Sequence, residues 1–192
     1  MALAKTQALL ARLFTDEDLR REFFETPIAV STRFGLSAED AQRLASLDRR
    51  ETDAFAHSLI GKRTLYACKA LPLTARALGD RFDALLAEAI RGRARDGSSR
   101  ADAAALVALL ERRIAQRDLV PVWIVDLARF ELAFVEAGRS GPTCFLRRFD
   151  FDVASIAASL ARGGDVIALR RRTVGVWARA PRGRLRWRLF SR

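Results

Sequence analysis

The chain has little of what most enzymes use to do chemistry. Its 192 residues include one histidine, His57, and two cysteines, Cys68 and Cys144. The cysteines are too far apart in sequence to read as a disulfide framework or a metal-ligand cluster. His57 cannot join them in a zinc site at any recognisable spacing. A reduced, cytoplasmic protein is the expectation. A triad or a thiol–imidazole pair would have to use His57. That residue lies in a helical stretch between Phe55 and Leu59, where it reads as structural. A Gly-rich phosphate loop is also missing, and "GDRFDALLAE" is not one. Carboxylates are abundant but fall on helix starts and solvent faces. Asp150 and Asp152 in "FDFDV" share one side of a candidate strand; a strand end and a helix cap account for them better than a metal pair. The chain is therefore read as not an enzyme on its own, and as carrying no cofactor.

Long apolar runs are absent too. No stretch of 18 or so apolar residues occurs, so no membrane span is expected. The opening "MALAKTQALLARLFTDEDLRR" is interrupted by Lys5, Arg12 and a run of acids. It lacks a signal-peptide core and cleavage site. No internal repeat or low-complexity tract stands out.

What is present is enough for a packed core. Hydrophobic residues make up 50% of the chain and charged residues 30%, which argues against global disorder. The net charge is +11, and it is unevenly placed. From Phe145 to Arg192 there are twelve arginines and three aspartates, a net of +9, which leaves +2 for the first 144 residues. Such a split suggests two regions with different roles.

The first two thirds read as helix. "KTQALLARLF" puts Leu9, Leu10, Leu13 and Phe14 on one face. "TDEDLRREFF" opens with Thr15 as a cap and acids in its first turn. Pro27 suits the start of "PIAVSTRFG" and Gly35 its end. Ser37 caps "SAEDAQRLASL". In "RRETDAFAHSLIGKRTLYACKAL", Phe55, Leu59, Leu65, Tyr66 and Cys68 are assigned to the buried side, and Pro72 ends or kinks the helix. "LTARALGDRFDALLAEAIR" is a helical pair joined near Gly79, with Phe82, Leu85, Leu86 and Ile90 inward. "RGRARDGSSR" reads as a flexible loop. Ser99 can cap "ADAAALVALLERRIAQ". "VPVWIVDLARFELAFVEAG" is apolar nearly all round, so it is expected to be central, starting near Pro121 and stopping at Gly138.

After "GRSGPT" the period changes from near 3.6 to 2. "CFLRRFDFDV" alternates like a strand, and "DVASIAASLARGG" reads as a short helix capped by Asp152. "DVIALRRR", "TVGVWARA" and "RLRWRLF" are three further strand candidates, with "PRG" turning a hairpin between the last two. The expected fold is α+β. A helical N-terminal domain, residues 1–140, precedes a small basic α/β domain, residues 141–192, with an antiparallel sheet and one short helix. In a three-strand meander, "TVGVWARA" would be central and the other two would be the edges.

The end of the chain, "RGRLRWRLF", poses the functional question. As a strand it would turn Leu185, Trp187 and Leu189 to the core and Arg184, Arg186 and Arg188 outward. Three readings stay open. The arginines could be a solvated face that discourages unwanted pairing. They could grip phosphates, although no helix-turn-helix, zinc finger or stacking platform accompanies them. Or the sheet edge could accept an extended acidic peptide as an added strand. The rival edge for that role is "DVIALRRR", with Ile167, Leu169 and Arg171 along it.

Two helical stretches carry a resemblance. "KRTLYACKALPLTARALGDRFDALLAEAI" resembles a basic helix followed by a hydrophobic-Pro break and "LG..F..L". "VPVWIVDLARFELAFVEAG" resembles the "P.l.DlArfEwA...A" helix that follows it, except that Leu132 stands where the pattern has tryptophan. "FFETPIAVSTRFGLSAED" fits the same group. Together they are similar to the family labelled as a DNA-binding domain whose members accompany multinuclear non-haem iron oxidases. The MbnC-like partner proteins of methanobactin biosynthesis are of this type. The resemblance covers residues 8 to 137 loosely and the region after them more weakly. It implies a non-catalytic subunit in a heterodimer with an iron oxidase that holds the metal. It further implies that the C-terminal sheet binds the leader of a ribosomally made precursor peptide and presents its cysteines for oxidative modification, to an oxazolone and thioamide in the methanobactin case. By position on the candidate edges, the expected leader contacts are Arg184, Arg186 and Arg188, with Ile167, Leu169 and Arg171 on the rival edge. Lys62, Arg63, Asp126, Arg129 and Glu131 match the helical signature; they read either as an internal Asp–Arg arrangement that orients helices or as the oxidase interface. The family label leaves stand-alone DNA binding as the other function, and an accessory subunit of a ring-cleaving dioxygenase as a third.

Overall fold

The computed structural model describes residues 2–92, 99–117 and 121–191. Most of the loop "RGRARDGSSR" lies outside the described residues. Ten helices and a three-stranded antiparallel sheet make up the described chain, an α+β fold. Among these residues no helix is long and apolar enough to cross a membrane.

The residues fall into two compact units, grouped differently from a division at residue 140. One comprises Met1–Thr64 and Ile90–Gly97, the other Leu65–Ala89 and Ser98–Arg192. The reason is that the apolar helix near Trp123 packs on the sheet instead of ending a helical domain.

The first unit holds α1 (Ala2–Leu13), α2 (Glu17–Glu25), α3 (Pro27–Arg33), α4 (Ala38–Ala45) and the N-terminal part of α5 (Arg49–Ala70). Its core is Leu9, Leu13, Leu19, Phe23, Val30, Leu36 and Leu44. The cap of α2 is Asp16, not Thr15. The Leu19 N–H donates to the Asp16 carboxylate at 3.1 Å, while the Thr15 hydroxyl turns back to the Ala11 carbonyl at 2.8 Å. A threonine at a helix end can satisfy the preceding turn as readily as the next one. Ser37 caps α4 through the Asp40 N–H, as expected. Gly35 closes α3 with φ +73°, a conformation that favours glycine. Buried Arg20 ties α1 to α5: its guanidinium donates to Asp53 at 2.6 Å and to the Leu13 carbonyl at 2.9 Å.

α5 buries a different face from the one assigned by its large side chains. Thr52, Ala56, Arg63 and Ala67 are buried, whereas Phe55, Leu65 and Tyr66 are exposed. Small residues at helical spacing let backbones approach closely, so the pattern of bulky residues points to the wrong side. Phe55 still finds a partner, the ring of Phe14, at 4.6 Å.

The second unit holds α6 (Pro72–Leu78), α7 (Arg81–Ile90), α8 (Ser99–Ala115), α9 (Trp123–Ala137) and α10 (Val153–Ala161) with the sheet. α8 already includes Ser99, one residue earlier than a Ser99 cap requires. α9 is central, as its composition predicts. It buries Ile124, Leu127, Ala128, Phe130, Ala133 and Ala137.

The sheet comprises β1 (Thr143–Phe151), β2 (Arg170–Arg179) and β3 (Arg186–Ser191), in that order. Its inner face meets α9 and α10 around Trp177, which is fully buried. Phe145 stacks on the Trp177 ring at 5.6 Å, and Phe134 meets it edge-on at the same distance. Gly175 makes this packing feasible. A Cβ there would lie 2.5 Å from the Trp177 ring and 3.0 Å from Leu189.

Candidate functional site: the open side of the sheet

Three of the four strand candidates form strands. "DVIALRRR" does not form an edge. α10 ends at Ala161, Gly163 takes φ +73°, and residues 162–169 return without regular structure. The Leu169 carbonyl accepts from the Asp152 N–H at 3.1 Å, and β2 begins one residue later. Ile167 and Leu169 are therefore exposed residues of a connection, and Arg171 lies in the central strand, 3.8 Å from the Asp152 carboxylate. The place expected for that edge belongs to β1. Alternation alone does not say which strands pair; Phe145, Phe149 and Phe151 of β1 fill the inner face beside Trp177, and this burial decides it.

β2 is central, as predicted, and β3 is the terminal edge strand. Leu185, Trp187 and Leu189 turn inward. Trp187 packs edge-on to Phe134 at 5.1 Å and Phe130 at 6.0 Å, yet stays 46% exposed because nothing lies beyond it at the edge among the described residues. Arg186 and Arg188 point outward and are exposed. Arg184 precedes the strand, on the hairpin loop, where Arg182 takes φ +62°. A shallow groove of about 670 Å³ runs along β3, lined by Val176, Ala178, Leu185, Trp187 and Phe190 with the two arginines.

The two edges differ. At the C-terminal end of β1, the N–H groups of Asp150 and Phe151 both donate to the Asp126 carboxylate, at 2.7 and 3.1 Å. That end of the β1 edge is thus closed by a side chain of α9. Along β3 no comparable side chain takes the edge among the described residues.

The helical signature residues are largely turned inward. Glu131 accepts from the Leu73 N–H at 2.7 Å, the Thr74 N–H at 2.8 Å and the Thr74 hydroxyl at 2.7 Å. It is the missing cap of α6, whose own N-cap position is Leu71. Burial pushes the carboxyls of Glu131 and Asp126 above their usual range, and the N–H donors pull back only part of the shift. Arg129 pairs with Glu111 of α8 at 2.7 Å and lies 3.7 Å from Asp126. Arg63 is buried, and Lys62 is exposed. Of the residues matched to the signature, Asp126 and Glu131 hold the unit together from within; Lys62 and part of Arg129 remain accessible. His57 is exposed on α5. Among the described residues no three metal-ligating side chains converge.

The sequence reading overlooked the outer face of the sheet beyond β3. The register aligns Leu146 with Val176 and Arg188, and Arg148 with Val174 and Phe190. The alternation in "CFLRRFDF" was the available signal; it identified a strand but not its neighbours.

No curated protein matches the chain. Residues 38–112, less than half of its length, match the family described as SCO6045-like, C-terminal domain. The match runs from α4 into α8 and stops before α9 and the sheet. Over that helical segment the chain is similar to the SCO6045-like C-terminal domain family.

Proposed function

We propose that this chain is the non-catalytic subunit of a heterodimeric iron-dependent oxidase complex. In this reading it binds the leader of a ribosomally made precursor peptide and presents its cysteines to the partner, which holds the iron and performs the oxidation. A methanobactin-type conversion of cysteine to oxazolone and thioamide is the finer form of the proposal. It rests on the resemblance of the helical signature. The observation that supports the binding step is the open edge of β3 with its outward arginines.

An extended segment added to β3 would bond through its backbone. Its side chains would alternate between two environments. On the outer side they would sit beside Arg186 and Arg188, where cross-strand pairs favour acids. On the inner side they would meet the half-exposed rim of Trp187, which favours apolar residues. A leader with acids and apolar residues in alternation suits this edge. Lys62 and the accessible part of Arg129 are the candidate contacts for the oxidase.

The test is co-expression with a multinuclear non-haem iron oxidase, followed by size-exclusion chromatography and iron analysis. A one-to-one complex with iron confined to the partner is the expected result. The same arginines favour a second reading, a phosphate grip. A chain that elutes alone and binds duplex DNA with steep salt dependence would establish that reading and overturn the first.

A further inference from the structure

The outer face of the sheet is a second surface, which extends from the β3 groove across β2 to β1 and shares Arg186, Arg188 and Phe190 with that groove. Its inner counterpart is covered by α9 and α10, but no described element of the same unit covers the outer face. Leu146 is 54% exposed and Phe190 is 55% exposed, with half-buried Val174, Val176 and Ala178 between them. The register makes these residues a diagonal apolar band, from Leu146 on β1 through Val176 and Val174 on β2 to Phe190 on β3. Arg148 stands on one side of the band and Arg186 and Arg188 on the other. Arg172 lies near the start of β2, and Asp150 is the carboxylate near the end of β1, where the register between the two strands shifts. None of Arg148, Arg172, Arg186 and Arg188 has an ion-pair partner among the described residues.

We infer that this face docks an acidic amphipathic helix presented by a partner protein. Three arguments select that occupant. β2 is bonded on both sides, so the middle of the face offers no free backbone groups. A segment lying on it must satisfy its own backbone, and a helix does so while an extended chain does not. Adjacent strands are about 4.8 Å apart, so β1 and β3 stand about 10 Å apart, close to the diameter of a helix with its side chains. Finally, arginines on both sides of an apolar band match carboxylates on both sides of an apolar helical stripe. A second copy of this chain would bring arginines against arginines. A nucleic acid would leave Leu146 and Phe190 against phosphates.

The probe is a fluorescein-labelled helical peptide of about 18 residues, some five turns. It carries leucines at i, i+3, i+4 and i+7 spacing and glutamates along both flanks. One control replaces the glutamates with lysines, and another breaks the helix with two prolines. Binding to the full chain is read by fluorescence anisotropy, and its location by amide shifts. The acidic helix should bind at least about tenfold more tightly than either control. Shifts should centre on Leu146, Val176 and Phe190, and Leu146→Asp or Arg148→Glu should weaken binding by a similar factor. Both positions are exposed on β1, and an unchanged near-ultraviolet signal from Trp177 verifies folding. Equal binding of the lysine or proline peptide overturns the inference. So do shifts confined to the inner side of β3 at Leu185, Trp187 and Leu189, or a dimer of the chain that Leu146→Asp dissolves. The oxidase co-expression experiment uses no β1 variant, so the two readings fail separately.

Discussion

At the scale of single residues, three positions carry more than their side chains suggest. Glu131 reaches from α9 to the start of α6, where it accepts two backbone N–H groups and a hydroxyl. Glu131→Ala would leave those donors buried and unpaired, and should cost about 2–3 kcal/mol in urea unfolding. Glu131→Gln keeps one acceptor and should cost less. A loss of oxidase binding without any loss of stability would instead assign Glu131 to the interface. Gly175 is a second case. Gly175→Ala drives a methyl into the Trp177 ring, and overpacking of this kind costs about 1–3 kcal/mol. The expected readout is a lower unfolding midpoint with a reduced near-ultraviolet tryptophan signal. Asp126 is the third: its carboxylate ends the β1 edge. In sequence, Asp126 and Glu131 read either as part of an internal Asp–Arg arrangement or as an oxidase interface, because their spacing says nothing about what lies above α9. Only the return of β1 and α6 onto that helix gives them buried donors.

At the scale of elements, β3 is where charge and backbone edge coincide. The double substitution Arg186→Glu and Arg188→Glu reverses two exposed charges without touching Trp187 or Leu189. Binding of an acidic leader peptide should fall by about tenfold or more, since opposite pairs become like pairs. The melting temperature should stay within about 2 °C, because exposed charges contribute little to stability. Undiminished leader binding would move the contact away from β3. The strands themselves were readable from their alternation, and the "PRG" hairpin from its turn residues. Their neighbours were not. "DVIALRRR" alternates convincingly, yet only its three arginines join the sheet, at the start of β2, because the phenylalanines of β1 compete better for the buried face beside Trp177. α5 teaches the same lesson for helices. Its bulky residues mark one side, but Thr52, Ala56 and Ala67 mark the side that is buried.

At the scale of the whole molecule, the two units should respond to acid in opposite senses. In the first, burial resists the charge on Asp16, but the Leu19 N–H and Arg12 outweigh it, and its carboxyl titrates below the usual 3.8. The bond from Arg33 lowers Glu22 below its usual 4.5. Groups lowered on folding stabilise above their usual values, and that stabilisation is lost as pH falls through the folded values. In the second unit, burial raises Asp126 and Glu131 above 3.8 and 4.5 respectively. Between those values and the raised ones, the folded state holds more protons than the unfolded chain. Their contribution is therefore full below the usual values and declines as pH rises through the folded ones. On stepping from about pH 6 to about pH 3, exchange at the Leu19 amide, corrected for its intrinsic pH dependence, should accelerate before exchange at Thr74. The reverse order would contradict these assignments. The sequence by itself determined the α+β class, the central place of α9, the caps at Ser37 and Asp152, and the basic C-terminal region. Each of these depends on local periodicity, turn chemistry or composition, which neighbouring residues express without help from distant ones. Tertiary structure alone decided the strand order, the buried face of α5, the inward roles of Asp126 and Glu131, and the outer arginine-flanked face of the sheet. Those depend on which apolar surfaces, distant in sequence, bury each other best, and a linear pattern does not rank such pairings.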